Sequence, residues 1–397
     1  MPGPRPVDAA IPMKLLYSVV WCLALGLLGC RPQADAGWLG TADRVAEGVE
    51  FYRNNDTALV NGVGPIAVFL VRIDPAAARL ASVLSQGRVL DAEAVSEIAR
   101  RHNALAAING GFFNRDNGEP IGLLKVDGEL VSDSRINRGV VVVHSPPGGP
   151  TSLEFDRLSA RMSMAYATAA GTVTLPIDGV DTTRARGRLM MYTPTYFANT
   201  DTAPTGTEWV LSGTPLVVKE VRVGFGSTTI PRDGVVLSYG GVRLPPELAA
   251  LQVGVEVSLS TAWRSAFGVP DTALDQAHHI INGAGLIRRG GVALADWEDE
   301  GLDADSFVQA RHPRTLIGRE ESGVIWLAAV DGRQPDYSIG MTFDDLQRLG
   351  ERLRLADALN LDGGGSTTMV IRGQVVNRPS DPSGARPVAD ALIVTPR

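Results

Sequence analysis

Between residues 145 and 262 no stretch of the chain carries the apolar repeat of an amphipathic helix. The apolar runs there, "TVTLPI", "EWVLSG", "PLVVKEVRV", "GVVLSY" and "GVEVSLS", are short and broken by Gly, Pro and Thr, which is how strands read. Helical patterns stand to either side: "DAEAVSEIARRH" (91–102), with Asp91 as its N-cap, and "TFDDLQRLGERLRL" (342–355), beginning at Thr342. A doubly wound parallel sheet needs a helix after nearly every strand, so that architecture is excluded. The pattern predicts an α+β fold with mixed sheets and few helices. Two related strand-helix-strand halves flank a β-rich inserted lobe at 145–262.

The case for two halves rests on order. In the first, the helix is followed by the apolar strand "ALAAI" (104–108), a glycine loop and a strand pair turning at "DGEL" (127–130). In the second, "GVIWLAAVDGR" precedes the helix, and "ADALNL", a glycine loop and a pair turning at "RGQV" (372–375) follow it. Three loops share one design, an apolar strand, an asparagine and then glycines: "AAINGGFFN" (106–114), "HIINGAGLI" (279–287) and "ALNLDGGGSTTMVI" (358–371). Successive glycines let backbone N–H groups form a concave array that approaches an anion closely. Gly110, Gly111, Gly283, Gly363 and Gly364, with Asn109 and Asn282, are therefore candidate ligand contacts.

With 44 Gly and 25 Pro in 397 residues, the chain is rich in turns. Its formal charge of −7 argues against a nucleic-acid partner, which would be held by a basic surface. The N-terminal "MKLLYSVVWCLALGLLGC" (13–30) has a basic start, an apolar stretch short for a membrane span, and small residues before a cysteine. It reads as a signal peptide (1–29), and "LLGC" resembles a bacterial lipobox with lipid on Cys30. Residues 30–48 then form a tether, and 49–397 the folded domain. The expectation is an exported protein held to a bacterial envelope membrane by a lipid anchor. Loss of Cys22 with the signal leaves Cys30 as the sole mature cysteine, so no internal disulfide is expected.

The loop after Asp362 lacks the Gly-Lys-Ser/Thr of a P-loop, and no dinucleotide fingerprint occurs. Arginines near the loops include Arg311, Arg314 and Arg319 in "ARHPRTLIGR", Arg333 in "VDGRQ" and Arg386 in "ARPVADALIV". Arg314 and Arg333 lie at strand boundaries beside tight turns, which makes them the phosphate-clamp candidates. Glycosidic cleavage uses a pair of carboxylates flanking the bond. Asp362 is the first choice, Asp331 the second and Glu300 the third; Asp331 would equally suit capping of the turn "DGR". His102, His144, His278, His279 and His312 show no ligand spacing. "DWEDEGLDADSF" imitates a calcium loop but has Phe307 where the closing glutamate belongs, so neither metal nor cofactor is expected. No nucleophile elbow surrounds Ser366.

Taken together, "INGGFFN", "LMMYTPTYFANTDTAPTGTEWVL", "IPRDGVVLSYGG", "INGAGLIRRGGV", "RHPRTLIGR", "VDGRQPDYSIGMTFDDLQRLGERL", "NLDGGGSTTMVI" and "RPVADALIV" resemble the phosphodiester glycosidase family, from about residue 50 to the C-terminus. The resemblance implies hydrolysis of a sugar-1-phosphodiester to a free sugar and a phosphomonoester, in cell-envelope or exopolysaccharide metabolism. It further implies that Asp362 activates water or attacks the anomeric carbon, while Asn109 or Ser366 holds sugar hydroxyls or phosphate oxygens. A phosphomonoester leaves readily, so such a site needs stabilisation of an anion more than a strong general acid. Two alternatives are a non-catalytic glycan-binding envelope lipoprotein and a metal-dependent phosphodiesterase.

Overall fold

Short strands without intervening helices satisfy their backbones by pairing and bury their apolar faces by packing sheet on sheet, and the chain does this with three sheets that share one core. The computed structural model describes residues 36–397 apart from Arg135, together with Met1 and Gly3. Cys30 and nearly all of the expected signal peptide lie outside the described residues. Trp38–Arg397 form one compact unit. Among the described residues no helix is long and apolar enough to cross a membrane.

An eight-stranded sheet runs in the order Asp43–Ala46, Val49–Asn54, Val68–Ile73, Ile325–Val330, Arg314–Glu320, Leu355–Asn360, Leu286–Arg289, Val292–Ala293. Residues 43–46, placed in the tether by sequence, are its edge strand, paired with Val49–Phe51. A five-stranded sheet runs Gln374–Val375, Met369–Ile371, Ala106–Asn109, Asp390–Pro396, Ala78–Leu84. The third sheet forms the β-rich lobe around the 17-residue strand Ser152–Thr168, and it reaches beyond 145–262 to recruit Leu124–Val126, Glu129–Ser132, Arg138–His144 and His279–Asn282. Along its path of 11 strands the two ends, Gly179–Val180 and Glu129–Ser132, come together, so the sheet is nearly closed like a barrel. Val180 N donates to Asp133 Oδ1 across that seam at 3.2 Å.

The molecule is thus mostly β with few helices, and the expected mixed sheets are antiparallel almost throughout. Gly179–Val180 beside Met190–Met191 is the one parallel pair among the described strands. The two strand-helix-strand units explain why. Ala78–Leu84 and Ala106–Asn109 are joined through the helix Val95–Arg101, yet Asp390–Pro396 runs between them and pairs antiparallel with both. Ile325–Val330 and Leu355–Asn360, joined through the helix Phe343–Arg352, are separated in the same way by Arg314–Glu320. Each unit is therefore a split crossover whose parallel strands never touch.

The second helix follows its sequence signals closely. Thr342 accepts from Asp345 N and Asp345 from Thr342 N in a reciprocal capping box, and Leu346 and Leu349 bury one face against the eight-stranded sheet. The first helix starts later than Asp91 implies. Asp91 pairs with Arg88 instead, and the helix begins at Val95 with no side-chain cap. Thr342→Ala removes half of the only complete box described on these two helices and should lower unfolding stability by about 1 kcal/mol, read by urea denaturation.

Candidate active site

The three asparagine-glycine loops follow the C-terminal ends of strands from three different sheets: Ala106–Asn109, His279–Asn282 and Leu355–Asn360. They meet. Asn109 Nδ2 donates to the Asp362 carbonyl at 2.7 Å, and Asp362 N donates to Gly110 O at 3.2 Å. Asn109 Oδ1 accepts from Thr315 Oγ1 and Thr368 N. Asn282 Oδ1 accepts from Phe112 N at 3.3 Å. Asn360 Nδ2 donates to Ala284 O at 2.8 Å, while the backbones of residues 284–285 and 360 exchange two further bonds. Asn109 donates and accepts at once, as a primary amide can, whereas Asn282 bridges through its oxygen and Asn360 through its Nδ2.

Beside this junction opens a cleft of about 240 Å³, lined by Phe112, Arg115, Phe307, His312, Arg314, Arg333, Asp362, Gly363 to Gly365 and Arg386. Asp362 is half-buried, and burial raises its carboxyl pKa from 3.8 to about 6 against the lowering effects of Ser366, Gly363 N–H, Arg386 and Arg115. Gly363 N donates to Asp362 Oδ1 at 2.8 Å. Arg386 pairs with Asp381 and reaches Ser366 Oγ at 3.4 Å, so Ser366, wholly buried, links that guanidinium to Asp362.

The arginines divide into two kinds. Arg314 is 1 % exposed, donates to the carbonyls of Met341, Phe307 and Ala310, and lies between the rings of Phe307 and Phe343 at 5.1 and 4.8 Å. Burial and the neighbouring Arg333 lower its pKa to about 9. It therefore anchors the cleft wall and adds positive field. Arg333 and Arg115 are exposed and have no carboxylate partner among the described residues. Arg333 Nη2 contacts His312 Nδ1 at 3.3 Å, and His312 Nε2 contacts Ser306 O at 2.9 Å. Burial lowers the imidazole pKa, and a neutral ring that donates to the carbonyl and accepts from the guanidinium satisfies both contacts. Gly364, at φ +60°, allows the Arg333 guanidinium to lie against the loop, since a Cβ there would sit 3.0 Å from Nη2.

Several sequence-derived candidates have other partners. Glu300 is wholly buried and accepts from Gly139 N, Gly285 N, Leu286 N and Arg157, so it braces the loop 279–287 away from the cleft. Asp331 is 1 % exposed and accepts from Asn377, Arg378 N and Tyr337; burial raises its pKa. Neither lines the cleft. The glycine N–H groups are engaged too. Gly283 N donates to Gly139 O and Gly364 N to Pro313 O. A side chain at Gly283 would strike Asn360 O at 2.4 Å, so this glycine serves close packing. Gly110 and Gly111 do cradle an anion, but it is the chain's own Asp390: Gly111 N donates to its Oδ1 at 3.1 Å, and a Cβ on Gly110 would lie 2.0 Å from Oδ2. Positive charge in the cleft therefore comes from guanidinium groups.

Asp390 was not singled out in the sequence, although "RPVADALIV" contains it. It is 2 % exposed, and burial together with the Asp362 charge raises its pKa to about 7. The two aspartates form a coupled pair. Arg115, His312 and the ring pair Phe112 and Phe307, with centroids 6.2 Å apart, were also missed, because single residues on separate loops leave no spacing signal. Both carboxyls bind protons more tightly in the folded chain than a free aspartate, so their contribution to stability is largest in acid and declines as pH rises through about 6 to 7. Asp390→Asn keeps an acceptor for Gly111 N and removes the charge. It should melt above the parent at about pH 8 and lose that advantage near pH 4. By contrast, Glu300→Ala leaves Arg157 Nε and three backbone N–H groups without their acceptor, Arg157 keeping only its pair with Asp296, and should cost about 3 to 5 kcal/mol of stability.

Residues 205–395, close to half of the chain and including Arg314, Arg333, Asp362, Arg386 and Asp390, match the family model "Phosphodiester glycosidase". The N-acetylglucosamine-1-phosphodiester alpha-N-acetylglucosaminidase of Bos taurus is 30% identical over 102 residues, which cover 26% of this chain and 19% of the relative. The match thus spans about a fifth of that enzyme's length. In fold, the chain is similar to a hypothetical protein from Synechocystis (TM-score 0.73, 23% identity, 90% of this chain and 64% of that one). It is also similar to a protein of Burkholderia pseudomallei described as exported (TM-score 0.71, 25% identity, 84% and 74% covered). Residues 205–395 thus carry the phosphodiester glycosidase pattern, and the chain is a distant relation of the mammalian N-acetylglucosamine-1-phosphodiester alpha-N-acetylglucosaminidases.

Proposed function

We propose that the cleft hydrolyses the glycosidic bond of a sugar-1-phosphodiester, releasing a free sugar and a phosphomonoester. The observation that carries this reading is the placement of one half-buried carboxylate, Asp362, in a cleft of about 240 Å³ whose other charged groups are arginines. Arg333 and Arg115 hold the phosphate, with Arg386 and the buried Arg314 adding field, and the neutral His312 orients Arg333. Asp362, ionised above about pH 6, activates water or attacks the anomeric carbon. Phe112 and Phe307 offer apolar surface to the sugar ring. Export with a lipid on Cys30 fits the N-terminal pattern, and the likeness to an exported protein supports the export half of that reading.

Turnover of a sugar-1-phosphodiester in oxygen-18 water tests the reaction. Label in the sugar supports glycosidic cleavage, whereas label in the phosphate, or loss of turnover in chelator, rejects it in favour of metal-dependent attack on phosphorus. Asp362→Asn should remain folded, bind substrate and turn over at least about a hundredfold more slowly. Turnover of the parent should fall in acid, with an apparent pKa of about 6 to 7 belonging to the Asp362 and Asp390 pair. Arg333→Ala should lose about 2 to 4 kcal/mol of transition-state stabilisation, with little recovered by Arg333→Lys.

A further inference from the structure

We infer that the open mouth of the β-rich lobe is a second binding site, for a neutral oligosaccharide. A cavity of about 450 Å³ opens there, larger than the catalytic cleft, and none of its lining residues is shared with that cleft. The mouth of a barrel-like sheet is a place where ligand sites recur, because strand ends leave the interior unfilled. The floor is the exposed end of the lobe's own core, with Met162, Met191, Val235, Leu130 and Leu259.

On the strand Glu256–Ser265 the inward positions alternate with exposed ones, so Leu259, Thr261 and Trp263 line the cavity in a row. Trp263 Nε1 donates to Asp275 Oδ1 at 2.7 Å, which fixes the plane of the indole. Around this apolar platform stand Lys125 and Arg232 against Glu129, Asp233 and Asp275. Arg232, Asp233 and Glu129 have no ion-pair partner among the described residues. The buried Lys125 amine donates to Leu274 O and Asp275 O at 2.8 and 2.7 Å and keeps a third N–H.

These features select one ligand chemistry. Two positive and three negative side chains disfavour a polyanion, and the charged rim disfavours a lipid chain. A sugar has an apolar C–H face to lie on a fixed indole and hydroxyls to meet carboxylates, a guanidinium and Thr261. The volume exceeds a single ring, which points to an oligosaccharide.

Isothermal titration of the whole protein with chitotetraose, cellotetraose and mannotetraose, beside a sulfated tetrasaccharide and a fatty acid, tests this. Saturable binding of a neutral sugar is expected, weakened roughly tenfold or more in Trp263→Ala. Arg232→Ala, on the exposed rim, provides a second variant in which affinity should fall without loss of fold. Hydrolysis of a small sugar phosphodiester should be unchanged in both, and the titration stands whether or not that hydrolysis is found. No binding by any neutral sugar, binding indifferent to both substitutions, or preference for the sulfated sugar or the fatty acid would overturn the assignment.

Discussion

Three buried side-chain amides hold the molecule's working region together. Asn109, Asn282 and Asn360 stand at the C-terminal ends of strands from three separate sheets, and each binds a loop that belongs to another strand. The three sheets share one apolar core, with Val71 and Ile317 from the first, Ile108 and Leu392 from the second and Phe155 and Ile281 from the third, and the amides fix where their strand ends meet. Removing a partner from such a buried group costs about 1 to 3 kcal/mol, so the bonds these amides do make, both ends of Asn109 and one end each of Asn282 and Asn360, hold the three loops in one arrangement. Asp362 inherits its position from that arrangement through its own N–H and carbonyl.

Charge is distributed around the junction with a consistent logic. Acidic groups inside the fold are tied to backbone donors, as Glu300 is to three N–H groups and Asp390 to Gly111. Asp362 accepts one such bond, from Gly363 N, and faces the cleft, where burial lifts its pKa to about 6. Arginines follow the same division. Arg314 is spent on carbonyls and rings, and this anchors the wall from which the exposed Arg333 and Arg115 can meet a ligand. A guanidinium group is forked and planar, a geometry that matches two oxygens of a phosphate or carboxylate at once.

The split crossovers show how topology serves the site. In each unit the helix returns the chain to a strand parallel to the first, and the strand interposed between them is supplied from elsewhere in sequence. One interposed strand, Asp390–Pro396, begins with the carboxylate that fills the Gly110 and Gly111 turn; the other, Arg314–Glu320, begins with the arginine that anchors the cleft. Both therefore deliver a charged residue to the same end of the sheets as the glycine loops.

The strand-rich middle, the helix from Thr342 and the three asparagine-glycine loops were legible in the sequence, because apolar periodicity, a capping box and glycine act locally. Asp362 and its arginines could be named for the same reason: residue type and a neighbouring turn suffice. What each candidate touches was decided by tertiary structure alone. Asp331 and Glu300 look like Asp362 in sequence, yet both are enclosed by donors, and Asp390 looked like any aspartate opening a strand. The antiparallel sheets were hidden likewise, since whether a strand linked through a helix pairs with its predecessor depends on a third strand from a distant part of the chain. Burial and pairing are properties of groups brought together across hundreds of residues, and local sequence does not encode which of two similar carboxylates will face the solvent.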